Sequence, residues 1–340
     1  MIMVPVCALI CLSHSQRLPA HGIPLWNDRP YKVLSTISVG GKSDIFSAFF
    51  DPIERRLYLG RGGSSGVDIY SVDPFALIGS ITGGGNVAVV DPASHIGFCN
   101  GPQITMFDAR TLLKVKKLPV PAIFGSFTVD PHTQRVFTFV DWPPSVSVLS
   151  AKSGSLLQSI KLPCYARHAV FDGDHTIYFG LWEKNQVGVI DTQSMRLINT
   201  FDLGPLGLSA EALGFDSHDH VLLVGCWTPP VMAMLDTDSG KLLSVAPLGL
   251  VCNELWFAPA TDEVLCADVD SRVHVLKRDG FGLFTHEQLL ITLEPPQDGY
   301  ELTAFDPKRG QLLVVLEKTK TIRMRRIGVP DSTTLLVVGR

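Results

Sequence analysis

The sequence is short of charge and of charge imbalance. Charged residues make up 18% of its 340 residues, and 29 lysines and arginines face 33 aspartates and glutamates, for a net charge of −4. A strongly basic surface for nucleic acid is thereby excluded. Long hydrophobic runs are also missing. The apolar stretches, such as residues 221–224 and 312–316, are strand-sized, well short of the roughly 18–20 residues of a membrane helix. No helical 3.6-residue period of useful length appears. There is no Cys-x-x-C, no cysteine–histidine spacing suited to zinc, no Gly-x-Ser-x-Gly, no His-Glu-x-x-His and no phosphate-binding Gly-x-x-x-x-Gly-Lys-Ser/Thr. The glycine-rich stretch 60–66 lies between two strand-like runs and lacks the helix a phosphate loop needs.

Seven cysteines are present, at positions 7, 11, 99, 164, 226, 252 and 266. Cys99, Cys226 and Cys266 fall in apolar strand-like segments, where a thiol packs as a small hydrophobe. A disulfide framework is not expected, and a single bridge stays open. The N-terminus carries a short apolar run, residues 4–12, followed by Ser13-His14-Ser15. That is the shape of a secretory signal cleaved after Ser15, although lysine and arginine are absent ahead of the run. The chain is read as secreted or periplasmic if this signal operates, and as cytoplasmic otherwise.

What the sequence has is a repeat. Phe50-Asp51-Pro52 precedes Arg56-Leu57-Tyr58-Leu59-Gly60, and Val129-Asp130-Pro131 precedes Arg135-Val136-Phe137-Thr138. Phe171-Asp172-Gly173 precedes Ile177-Tyr178-Phe179-Gly180. The aspartates at 51, 91, 130, 172, 216 and 306, with Ala258 in the sixth place, recur about every 42 residues, the period of a propeller blade. Each unit holds four strand-like pieces, the third exemplified by Val187-Gly188-Val189-Ile190-Asp191. In Asp-Pro the proline presets φ and the carboxylate bonds nearby backbone N–H groups, closing the turn between first and second strands. Asp108, Asp191 and Asp236 do the same between third and fourth, with Gly154 and Gly240 supplying positive φ.

The fold read from this is all-β: a seven-bladed β-propeller of four-stranded antiparallel blades over residues 31–329, after an N-terminal segment 1–30 and before a tail or extra strand at 330–340. Residues 31–39 read as a lone fourth strand. Pairing it into the last blade, whose third strand is placed at 321–327, closes the ring and removes its edges. Residues 333–338 are a weaker candidate for that closing place. Blade six carries an added loop, 279–287, before a fourth strand at 289–293.

The pattern Asp-Pro, Leu-Tyr-Leu-Gly or Ile-Tyr-Phe-Gly, then Val-Ile-Asp-Thr resembles the YVTN-type repeats of seven-bladed propellers, although no unit spells Tyr-Val-Thr-Asn. The resemblance implies a ring-shaped scaffold. The runs at 151–157 and 236–243 also resemble quinoprotein propeller repeats, with Ser159 and Val245 where that family has tryptophan.

Loops joining fourth to first and second to third strands share one face, where propellers bind ligands. Five residues before each turn aspartate stand Phe46, Asn86, Gly125, Arg167, Glu211, Asn253 and Glu301, with His168 and Glu254 beside them. Ten residues after it stand Arg61, Asn100, Asp141, Trp182, Trp227, Asp268 and Glu317, with Trp142 and Glu183 adjacent. Trp142, Trp182 and Trp227 with Asp141, Glu183, Arg167 and His168 form the candidate ligand patch. Glu211, Asn253, Glu301 and Asn86 are oxygen donors of the kind Ca²⁺ takes. His168 with Glu211 is a candidate base and orienter. The expected function is a non-catalytic binding or scaffolding propeller that presents this face to a protein or small molecule. It is expected to be a monomer without resident cofactor. The alternative is a channel-site hydrolase of lactonase type built on the Glu/Asn metal set.

Overall fold

The computed structural model describes residues 30–40, 45–62, 66–83, 85, 87–101, 103–120, 126–204, 208–248, 251–268, 272–279, 282, 284–291, 302–318 and 332–340. They form seven four-stranded antiparallel sheets. Blade one runs from Ile45–Asp51 through Arg56–Arg61 and Gly66–Val72 to Phe75–Ile81. Blade two begins at Ala88–Asp91, blade three at Phe127–Asp130, blade four at Ala166–Phe171, blade five at Leu208–Asp216 and blade six at Cys252–Ala258. Blade seven comprises Leu302–Asp306, Gln311–Lys318 and Ser332–Gly339, with Lys32–Val39 as its outermost strand. Lys32 pairs with Gly339 and Val39 with Thr333, so the N-terminal strand closes the ring as its sequence position suggests.

Two strand assignments change. The third strand of blade seven is Ser332–Gly339, whereas the expected segment 321–327 lies outside the described residues. The reason is burial. Third strands are covered on both faces, and Thr333, Leu335, Leu336 and Val338 are all buried, while 321–327 carries three arginines. In blade six the fourth strand spans Phe284–Ile291, beginning earlier than 289 because Phe284 is itself a core residue.

The turn aspartates act as their spacing requires. Asp51 accepts the N–H groups of Ile53 and Glu54 at 2.9 and 3.2 Å. Asp130 accepts those of His132 and Thr133 at 2.9 and 3.2 Å. Gly154 and Gly240 have φ of 68° each.

The hydrophobic core is divided among the seams. Seven clusters of buried residues each join two neighbouring blades; one sets Val187, Val189 and Phe201 of blade four against Leu222, Val224 and Leu235 of blade five. Second and third strands are therefore buried on both faces and read as unbroken apolar runs. Fourth strands show solvent, and Lys114–Leu118 is exposed but for Leu118. Close approach within a sheet fixes Gly188, where a Cβ would stand 2.2 Å from Cζ of Phe179.

Arginines lock the seams on the lower face, where the first–second and third–fourth turns lie. Arg56 of blade one donates to carbonyls of Ala109 and Arg110 in blade two. Arg135 of blade three donates to those of Thr192 and Gln193 in blade four. Arg278 of blade six reaches Asp216 in blade five, bonds Asp219 at 3.0 Å and Asp262 at 2.9 Å, and stacks 4.5 Å from the Phe284 ring centre. Arg55 of blade one meets Asp306 of blade seven at 2.7 Å. The closing seam has its own anchor. Tyr31 exchanges backbone hydrogen bonds with the Gln288 side chain at 2.9 and 2.8 Å, and its hydroxyl donates to Glu263 at 3.1 Å.

Cysteine behaves differently from expectation at one position. Cys266 is not a free thiol but is bridged to Cys252 on the adjacent strand. Cys99, Cys164 and Cys226 are free and buried. No helix among the described residues is long and apolar enough to cross a membrane. The expected N-terminal signal, with its apolar run at 4–12 and cleavage after Ser15, lies outside the described residues.

Candidate functional site

The upper face owes its shape to a recurring irregularity. In blades one, four, five and six the pairing of first and second strands slips near the top, between Ile45 and Ser47, Ala166 and Ala169, Ala210 and Ala212, and Cys252 and Glu254. The residues thrown out of register are Phe46, Arg167 with His168, Glu211 and Asn253. These are positions from the ring five residues before the turn. A bulge re-aims the side chain it carries, and here it turns Arg167 and Glu211 toward each other across the seam between blades four and five. Arg167 Nε lies 3.7 Å from Glu211 Oε2.

Second-to-third-strand loops build the other wall. In blade four the strand Thr176–Leu181 leads into a single 3₁₀ turn, Trp182–Lys184, ended by Asn185 in the left-handed region at φ 56°, which asparagine tolerates. The loops of blades three, four and five are tied down alike. Carbonyls of Pro144, Asn185 and Pro230 accept from Leu162, Leu203 and Leu248 at 3.0, 3.1 and 3.1 Å. This fixes Trp182 so that the Arg167 guanidinium sits 4.7 Å over its ring. Trp227 of blade five meets Trp182 edge-on, with centroids 5.8 Å apart. Tyr165 supports the guanidinium from a second side at 5.3 Å. Tyr165 stands outside the ring positions that the repeat marks. Its signal is its spacing, two before Arg167 and so on the same side of an extended chain.

The candidate residues are therefore not all gathered. Arg167, Trp182, Trp227 and Glu211 meet. Asp141 is half-buried, and its carboxyl pKa is raised by burial and held back by the Arg167 charge. Glu183 is exposed beside Trp182. Trp142 is 87% exposed and makes no ring contact with the other two tryptophans. His168 makes no ion pair with Glu211 as a base would with its orienter; the cation beside that carboxylate is Arg167, whose Nε stands 3.7 Å from Oε2. Burial, reinforced by the Arg167 charge, pushes the His168 pKa down to about 4, so the ring is neutral at pH 7. Of the four candidate metal ligands, Asn86 and Glu301 lie outside the described residues. Glu211 and Asn253 occupy corresponding bulges in neighbouring blades, each 7% exposed. Among the described residues no three His, Cys, Asp or Glu side chains converge on a metal position. Other positions of the second ring are held structurally. Arg61 bonds Asp68 at 2.9 Å, Asn100 accepts the Val87 N–H at 2.8 Å, and Asp268 bonds His274 at 2.8 Å.

Glu254, one residue past the blade-six bulge, crosses to blade seven. Its carboxylate accepts the N–H of Thr303 at 2.6 Å as well as the Thr303 hydroxyl, and that hydroxyl accepts the Trp256 indole N–H at 2.8 Å. Burial nevertheless lifts the Glu254 pKa from 4.5 to about 7. A pKa raised in the folded state means stability that is complete below pH 4.5 and lost as pH climbs through about 7. Glu254→Gln is expected to melt close to wild type at pH 4.5 and progressively above it toward pH 8, because the amide never ionises. Melting curves across that range check this, and a difference that does not change with pH would contradict it.

No family model matches the chain, and no curated protein sequence matches it. Among solved structures, a chain in one described as the crystal structure of the mitotic checkpoint complex is similar over 97% of this chain and 98% of that one, with a TM-score of 0.72 and 10% identity. That likeness is one of fold, and the chain is a seven-bladed propeller of four-stranded blades closed by its N-terminal strand.

Proposed function

We infer that the protein is a binding or scaffolding propeller whose upper face, in the sector of blades three to five, receives a ligand. The observation that carries this is the cluster of Arg167, Tyr165, Trp182, Trp227 and Glu211. A guanidinium stacked against two rings and left 43% exposed, beside a second indole, is the composition of an interface hot spot. A scaffold that only closed a ring would not need it. The metal-hydrolase alternative has less support, because among the described residues no cluster of acidic, histidine or cysteine side chains converges on a metal position. The repeat class that best fits is the YVTN type, on the strength of Ile177-Tyr178-Phe179-Gly180 and Val189-Ile190-Asp191-Thr192. The Cys252–Cys266 bridge supports an oxidising, extracytoplasmic compartment.

Peptides selected from a random library on the folded chain test the face. Their affinity is expected to fall about 10- to 100-fold in Trp182→Ala and Trp227→Ala, with no change in a lower-face control such as Lys308→Ala. Peptides indifferent to both tryptophans would place recognition elsewhere.

A further inference from the structure

We propose that this sector takes an organic cation, a guanidinium or ammonium group, which lies against the Trp227 ring and donates its N–H groups to the Glu211 carboxylate. The inference rests on the binding-face reading above and adds the ligand's chemistry to it.

The first observation is an unmet acceptor. Glu211 is 7% exposed, and its Oε2 is buried without a hydrogen-bond donor. The nearest cation, Arg167 Nε, stands 3.7 Å away, beyond hydrogen-bond reach. A buried carboxylate oxygen left in this state is costly, and a ligand N–H supplies the missing bond. The second observation is an unoccupied ring. The protein's own Arg167 shows that a guanidinium fits over Trp182, and among the described residues no cation stands over Trp227. The blade-five register places the two features side by side. Ala210 pairs with Cys226 and Ala212 with Gly225, so Glu211 bulges out beside Cys226, the neighbour of Trp227 in the strand Val221–Thr228. The third observation is charge. Arg167 and Lys184 are outnumbered by Asp141, Glu183 and Glu211, so the sector is net negative. Burial raises the pKa of both Asp141 and Glu211, and a second cation offsets that desolvation. Indole faces attract organic cations through the ring quadrupole, and guanidinium is weakly hydrated and easily stacked.

The indole N–H resonances of Trp182 and Trp227 in the full chain, assigned by single phenylalanine variants, report the binding. The probes are ethylguanidinium, the blocked peptide Gly-Arg-Gly and its citrulline counterpart, which keeps the shape without the charge. Saturable shifts with the first two are expected, and binding at least about tenfold weaker with citrulline. A peptide tenfold or more tighter than ethylguanidinium identifies a protein side chain as the natural source, and equal affinities identify a free small cation; either result supports the site. Glu211→Gln is expected to weaken binding about tenfold. Arg167→Gln is expected to strengthen it several-fold, because a competing guanidinium is removed from Glu211 and Trp182. The opposite sign for Arg167→Gln, or citrulline binding as well as arginine, would overturn the proposal. If Glu211→Gln fails to fold, the sign of the Arg167→Gln change and the citrulline comparison still decide. Library peptides that need Trp227 but bind Glu211→Gln unchanged would overturn the cation site and leave the binding face standing. Peptides indifferent to both tryptophans would remove both.

Discussion

Replacing Arg278 by alanine is expected to destabilise the protein by about 3–5 kcal/mol, with a fall in Tm on the order of 10 °C. The side chain is 11% exposed and faces three carboxylates, of which Asp216 is wholly buried. Much of the loss is the cost of leaving Asp216 charged and unpaired, not the attraction itself. Two controls separate these terms. Arg278→Lys keeps the charge but cannot reach all three partners with one fork, and recovers part of the stability. Adding Asp216→Asn to Arg278→Ala removes the stranded charge, so the double variant is expected to be more stable than the sum of the single effects. Arg309, 46% exposed and paired with Asp73, is the contrasting case; its alanine variant is expected to cost at most about 1 kcal/mol. An Arg278→Ala protein that melts like Arg309→Ala would show the lower-face clamp to be decoration.

The second large effect is expected at Tyr31. It is 3% exposed, belongs to the core shared by blades six and seven, and sits under the Arg340 guanidinium at 4.6 Å. Truncation to alanine is expected to cost about 3–5 kcal/mol, as for other large buried aromatics. Because Lys32–Val39 follows it directly, the damage should appear locally before it appears globally. Amides of that strand are expected to exchange with deuterium about 10²–10³ times faster, with blades three to five unaffected at first. Tyr31→Phe keeps the buried ring, loses the hydroxyl that donates to Glu263, and is expected to cost about 1 kcal/mol. Uniform acceleration of exchange around the ring in Tyr31→Ala would mean that the closing strand does not open on its own.

The parts of this fold that were legible in the sequence are those in which a residue bonds its own neighbourhood. Asp51 and Asp130 hold N–H groups two and three positions ahead, so their spacing announces each blade. The unbroken apolar runs announce strands buried on both faces. The seams are another matter. Arg278 and Asp216 are far apart along the chain, and nothing local to either names the other. The same holds for the bulges. Arg167, Glu211 and Asn253 share a ring position that counting finds, but slipped pairing has no residue signature of its own. Counting places Arg167 in a ligand patch and Glu211 in a metal set, and it gives no hint that the two stand 3.7 Å apart across a seam. Trp142, Trp182 and Trp227 hold similar places after or at the end of a second strand, and a short 3₁₀ turn and the Arg167 stack distinguish the half-buried Trp182 from the exposed Trp142. The third strand of blade seven is ambiguous in the sequence for a simpler reason. Two β-prone segments compete for the place, and the one that can be buried on both faces, Ser332–Gly339, takes it.

Ring closure also sets an order in time. Lys32 pairs with Gly339, so the closing strand waits through synthesis for a partner made some 307 residues after it. At about 5–20 residues per second, that wait is roughly 15–60 s. Six blades can assemble in turn as the chain emerges, each covering the seam of the one before. Through that interval the closing strand has no partner, and one face of blade one has no neighbour. The nascent ring is an open clasp with an exposed edge, at its most vulnerable to pairing with another copy just before it shuts.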